Sequence, residues 1–249
     1  MSFYLFLPSN VSPRYFPNNR ISCFNVKLPK RLKFKPNEYE VALTEITYVH
    51  SMKTYFNEDD RVLWFYGMNN VKRNLRILPN QNYSSIETLC TELNLAFTKD
   101  DKDTVANVWH SPITNRVTFT IHEGEILLPE KISKNLGFGD ETKFFGDQSP
   151  YVASMPPDHA AGMYHLFVYC DFVEEQIVGD SLVPLLRIVN ITGMEGEVVT
   201  QTFRPYYLPV NKLDFDTIEI LLCNEFGEEI LFDKGSSIVT VHFRKKSTK

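Results

Sequence analysis

Between Ile21 and Pro29 the segment ISCFNVKLP sets Phe24, Val26 and Leu28 on one face and Asn25 and Lys27 on the other. This two-residue period is that of a half-buried strand, and Pro29, which has no amide proton to give a ladder, is expected to end it. After the loop KRLKFKPN, the stretches YEVALTEITYV (39–49) and RVLWFYG (61–67) are rich in β-branched and aromatic residues and predict two more strands. The period then changes. In SSIETLCTELNLAF, residues Ile86, Leu89, Cys90, Leu93 and Phe97 fall on one helical stripe, and Ser84 with Glu87 reads as a capping box. RVTFTIH alternates through Val117, Phe119 and Ile121, and PEKISKNLGFG reads as a short helix with Pro129 in its first turn and Gly137 beyond its end.

From Met163 the strand pattern resumes in MYHLFVYCDFV, LVPLLRIVNI, EVVTQTF, TIEILLC, EEILFD and SIVTVHF, each bounded by turn residues. Short strands at this spacing predict a mainly β fold, a single jelly roll or antiparallel β-sandwich. The expected organisation is discontinuous. Residues 1–71 and 161–249 form the jelly roll, and residues 72–160 form an α+β insertion with its connecting loop.

Composition agrees with this reading. The 249 residues are 43% hydrophobic and include nineteen Phe, twelve Tyr and fourteen Pro against eleven Gly, enough apolar surface for a large core. The longest apolar runs, FYLFL and IEILL, are far shorter than the roughly 20 residues a membrane-spanning helix needs, so no membrane partner is expected. No charged segment precedes an apolar one at the start, and the expectation is a chain that is not secreted. On that expectation the sequons at Asn10, Asn82 and Asn190 are chance matches. Cys23, Cys90, Cys170 and Cys223 show neither a Cys-x-x-Cys pair nor a His at ligand spacing, so we read them as core thiols.

Charge is unevenly spread. The net charge is -5, yet residues 1–37 hold Arg14, Arg20, Lys27, Lys30, Arg31, Lys33 and Lys35 with no acid, which leaves -12 for the rest. With Arg244, Lys245, Lys246 and Lys249, this segment reads either as a basic arm able to touch DNA or an acidic neighbour, or as a strand edge guarded by lysines.

No constellation of nucleophile, base and stabiliser stands out. His50, His110, His122, His159, His165 and His242 are scattered; His122, His165 and His242 lie on the polar faces of strands and the others are assigned to loops. GFGD at 137–140 lacks the third glycine of a dinucleotide loop and follows a helix, so it reads as a cap. Asp171, Glu174, Glu175 and Asp180 sit where a strand runs into a turn, the usual place for solvated acids. We therefore expect no enzymatic activity, no catalytic or metal-binding residues and no cofactor. The recognition candidates are SPRYFPNN and FRPYYLPVNKLDF, with Arg14, Tyr15, Phe16, Lys30, Arg31, Tyr206 and Tyr207 as expected interface residues, since aromatic residues held by proline make rigid anchors. The alternative function is a carbohydrate- or receptor-binding jelly-roll module, with Trp64 and Trp109 as the residues to suspect.

Several blocks, in order along nearly the whole chain, resemble a known family. They are FYLFLPSN, YFPNN, FNVKLP, YEVALTEITY, NYSSIETLCTELN, ISKNLGFG, CDFVEEQIVGDSLVPLLRIV, YYLPVNKLDFDTIEILLCNEFGEEILFDKG and VTVHFRKK. Together they are similar to the minor capsid (penton) protein of Polinton, or Maverick, virus-like DNA transposons. The resemblance implies a single jelly roll with an embedded insertion, five copies of which form the vertex of an icosahedral particle built mainly from a double jelly-roll major capsid protein. It implies no enzymatic function and no catalytic residues. It also implies a virion location, with synthesis in the host cytoplasm and assembly there or in the nucleus. Under it, the basic N-terminal segment is expected to reach beneath the shell toward DNA or a major capsid subunit.

Overall fold

The computed structural model describes residues 2–54, 57–67, 72–83, 85–99, 103–158, 160 and 163–246. The chain divides into two compact units, Met1–Met52 with Met163–Lys249, and Lys53–Gly162. The first unit opens with β1 (Ser2–Pro8), β2 (Cys23–Lys33) and β3 (Tyr39–Val49). The second unit holds β4 (Val62–Tyr66), β5 (Lys72–Ile77), α1 (Ile86–Phe97), β6 (Thr98–Lys99) and β7 (Asp103–Thr104). It continues through β8 (Ala106–Ser111), β9 (Arg116–Ile121), β10 (Glu125–Leu127), α2 (Glu130–Leu136), β11 (Lys143–Phe145) and β12 (Tyr151–Val152). The first unit then resumes with β13 (His165–Cys170), β14 (Gln176–Val178), β15 (Ser181–Val183), β16 (Leu185–Asn190), β17 (Val198–Thr202), β18 (Leu208–Pro209), β19 (Asp214–Cys223) and β20 (Ser237–Lys245).

Eight strands of the first unit form two sheets, ordered β1-β20-β3-β17 and β16-β13-β19-β2, with β18 added beside β3. The logic of this order appears when the eight are taken in sequence. The first pairs with the eighth, the second with the seventh, the third with the sixth and the fourth with the fifth, all antiparallel. One long hairpin is thus rolled up, and β20·β3 and β13·β19 close the roll. This is a jelly roll. The insertion lies in the connection between its third and fourth strands.

Alternation builds the core. Val41, Leu43 and Ile46 of β3 and Val239, Val241 and Phe243 of β20 face Phe24 and Val26 of β2, Leu166 and Val168 of β13, and Ile218, Ile220 and Leu222 of β19 in one buried cluster. Phe243 stacks on Phe3 at 5.0 Å between ring centres and meets Phe172 at 5.2 Å. The second unit has its own core, in which the α1 stripe of Ile86, Leu89, Cys90, Leu93 and Phe97 packs with Val108, Val117, Phe119 and Phe144.

Three local readings are corrected. Pro29 does not end its strand: Thr217 pairs with Lys27 and Phe215 with Leu32, so Pro29 lies in a bulge where no ladder bond is asked of it. The cap of α1 is Ser85, whose hydroxyl accepts the Thr88 amide proton at 3.1 Å; Ser84 lies outside the described residues. EEILFD is not a strand but contributes isolated bridges, Cys223 to Glu229 and Met52 to Phe232. The compact insertion begins at Lys53 instead of residue 72, because β4, assigned by its composition to the flanking domain, pairs with β5 and β10. Gly137 caps α2 with φ of +88°, its amide donating to the Lys134 carbonyl while Phe138 donates to Ser133.

Candidate assembly surfaces

The basic N-terminal segment is not a free arm. Ser2–Pro8 is an edge strand in register with β20 over its full length, and Leu7 is buried. Three of the seven basic side chains that follow are neutralised within the sandwich: Arg20 Nε donates to Glu229 at 2.8 Å, Lys27 pairs with Asp216 at 2.8 Å and Arg31 pairs with Asp214. The side chains of Arg14, Lys30, Lys33 and Lys35 form no ion pair among the described residues. β2 is itself an edge, so these lysines guard it against pairing with a foreign strand.

The two basic segments, remote in sequence, meet at Glu38. Its carboxylate accepts the Lys35 backbone amide at 2.9 Å and pairs with Lys245 at 2.9 Å, and these contacts hold it below the usual carboxylate range. Arg244 pairs with Glu40 on the neighbouring strand.

Of the expected interface residues, Tyr15 and Phe16 line a shallow cleft of about 390 Å³ with Pro17, Asn18, Asn19, Arg20, Cys23 and Asn25. Asn19 holds this loop down, its side-chain amide donating to the Asn25 carbonyl and its oxygen accepting the Asn25 amide. Tyr206 and Tyr207 differ. Tyr206 is 68% exposed, whereas Tyr207 lies under the Arg244 guanidinium at 3.4 Å and its hydroxyl meets His242 Nδ1 at 2.7 Å. Tyr4 also stacks on His242, at 4.4 Å between ring centres, and Phe6 stands beside Tyr4 66% exposed. The outer face of β1 and β20 is therefore an aromatic strip. Sequence reasoning missed Tyr4, Phe6 and His242 as a group, although FYLFL carries the signal: it is apolar on both faces of its strand.

Several of the remaining polar candidates have structural partners, while His50 Nδ1 is buried without one among the described residues. Asp171 pairs with Lys212 and accepts the Glu219 amide at 3.0 Å. Among the described residues no three His, Cys, Asp or Glu side chains are grouped to hold a metal ion. His110, placed by its sequence in a loop, is in β8 and bonds Glu87 and Asn115, while His165 pairs with Glu225. His159 lies outside the described residues. Burial raises the Cys90 thiol to about 12 and that of Cys223 to about 11, values of inert structural thiols. Trp64 is half-buried in β4 and Trp109 is exposed on β8.

No protein-family model matches the sequence, and no curated protein matches it. Solved structures do. The mavirus penton protein is similar over 99% of this chain and 100% of its own, with a TM-score of 0.53 at 9% identity. A chain of the Sputnik virophage is similar over 97% of this chain and 96% of its own, with a TM-score of 0.44 at 9% identity. At such identity the mavirus likeness speaks for the fold, in agreement with the strand order above.

Proposed function

We propose that this chain is a structural capsid protein, the minor or penton subunit that forms pentameric vertices of an icosahedral virus-like particle of the Polinton or Maverick kind. It acts together with a double jelly-roll major capsid protein and is not an enzyme. The observation that carries the reading is the jelly roll interrupted after its third strand, which aligns end to end with the mavirus penton protein. Five copies around an axis need a head-to-tail interface between two different patches of each subunit. The Tyr4, Phe6 and Tyr206 surface and the Tyr15 and Phe16 cleft are two such patches, and both combine aromatic area with few unpaired charges. The non-specific DNA contact of this reading falls to Arg14, Lys30, Lys33 and Lys35, because the other N-terminal basic side chains are already paired.

The test is the mass of the purified protein by light scattering, with negative-stain images of the same peak, repeated with a major capsid protein present. A mass near five chains and ring-shaped particles is expected. A monomer that enters no particle in either setting refutes the proposal.

A further inference from the structure

β8, β9 and β12 form one sheet of the second unit, whose inner side is closed by Val108, Val117 and Phe119. By alternation the other side carries Asn107, Trp109 and Ser111 on β8, Arg116, Thr118 and Thr120 on β9, and Val152 on β12. Register makes rows of them. Trp109 is opposite Thr118, which is opposite Val152, and Asn107 is opposite Thr120. Trp109 is 53% exposed and Val152 is exposed two strands away, so an indole and a small apolar shelf flank the threonine between them.

The polar groups around this indole are partly fixed by one another. Asn107 and His122 are 3.0 Å apart between amide nitrogen and Nε2. With the amide nitrogen donating to His122, Asn107 is held in place and its Oδ1 is turned to accept from a ligand. Thr118 and Thr120 add hydroxyls that both give and accept. No carboxylate stands among the outward residues of the three strands, and Arg116 is their single charge.

We propose that this face binds a neutral saccharide, with a pyranose ring stacked on Trp109 and its hydroxyls bonded to Asn107 and Thr118. Size supports the match: Asn107 and Trp109 are two residues apart on one strand, about 6.6 Å, and Thr118 is about 5 Å away across the ladder. A sugar ring centred on the indole thus reaches both with its hydroxyls. Its C–H face needs an aromatic surface and its hydroxyls need paired donors and acceptors, which are the two chemistries present. A phosphate-bearing ligand would need more cations than Arg116, and an acidic sugar would gain little. The site lies within the second unit and does not depend on ring assembly, although five copies in a ring would strengthen weak single-site binding.

The experiment uses the full chain on a printed array of neutral and sialylated glycans. Methyl galactoside, glucoside, mannoside and N-acetylglucosaminide are then titrated into a Trp64→Phe variant, in which Trp109 is the sole indole. Retention of neutral glycans and a saturable change in Trp109 emission are expected. Trp109→Ala should weaken retention at least tenfold, Trp109→Phe less, and Asn107→Ala severalfold, all with unchanged melting temperature and unchanged mass by light scattering. Failure to retain any neutral glycan, retention of sialylated glycans alone, or equal retention by Trp109→Ala overturns the proposal, whatever the assembly state proves to be.

Discussion

Phe243 has no exposed surface and touches Phe3, Phe34 and Phe172, so its ring joins strands from both ends of the sequence. Phe243→Ala should lower the urea-unfolding free energy by about 3–5 kcal/mol, whereas Phe6→Ala on the outer face should change it by no more than about 0.5 kcal/mol. His242, one residue away on the opposite face, makes a different prediction. Burial first, and then the Arg244 charge, lower its pKa below the ordinary 6.5. The native state therefore takes up its proton later than the unfolded chain does. The stability contributed is present above pH 6.5 and is lost as the pH falls through the native value. Between pH 7.5 and 5 the melting temperature of the native protein should fall more than that of His242→Gln. The carboxylates held low by their partners, Glu38, Glu87 and Asp216, act at lower pH and leave this comparison clean. Composition distinguished neither Tyr206 from Tyr207 nor Tyr4 from Leu5, because exposure depends on what crosses each ring, and the Arg244 guanidinium over Tyr207 comes from a strand 37 positions on.

Elements were legible where one face of the chain meets a core. β2, β3, β9, β13, β19 and β20 follow from alternation, and the α1 stripe is buried residue for residue. Their ends were less so. A proline reads as a stop only if a ladder bond is wanted there, and the bulge at Pro29 removes that demand; likewise ILF in EEILFD is apolar enough for a strand but finds only single bridges. Helix ends respond to single residues. Ser85→Ala should cost about 1 kcal/mol by removing the acceptor for Thr88. Gly137→Ala should cost more than about 2 kcal/mol, since a left-handed residue with a side chain is strained. Here its Cβ would also stand 2.2 Å from the Met155 carbonyl oxygen. Chemical denaturation of both variants, with amide exchange in α1 for the first, checks the order.

At the scale of the molecule, two separate cores imply two separable units. Replacing residues 53–162 by a ten-residue Gly and Ser linker should leave a soluble protein with an antiparallel β circular-dichroism spectrum and one cooperative melt, because among the described residues the jelly-roll core draws none from the insertion. An aggregated or unfolded product would show that the insertion is needed to fold the sandwich. Deleting residues 1–20, by contrast, removes β1 and should unfold the protein, so it does not isolate any role of the basic residues. Which strand pairs with which was the part of the fold the chain did not display, since alternation gives each strand two faces but no partner. The rolled hairpin also sets a timetable. Among the described residues β1 pairs with β20 alone, and the two are made 229 residues apart. At the usual 5–20 residues per second, a ribosome takes about 10–50 s to supply the partner. Through that interval an uncharged SFYLFLP segment of high β-propensity has no strand to join. Newly made chains are thus most exposed to mispairing before their last strand emerges, and yield should depend on whatever shields that segment during synthesis.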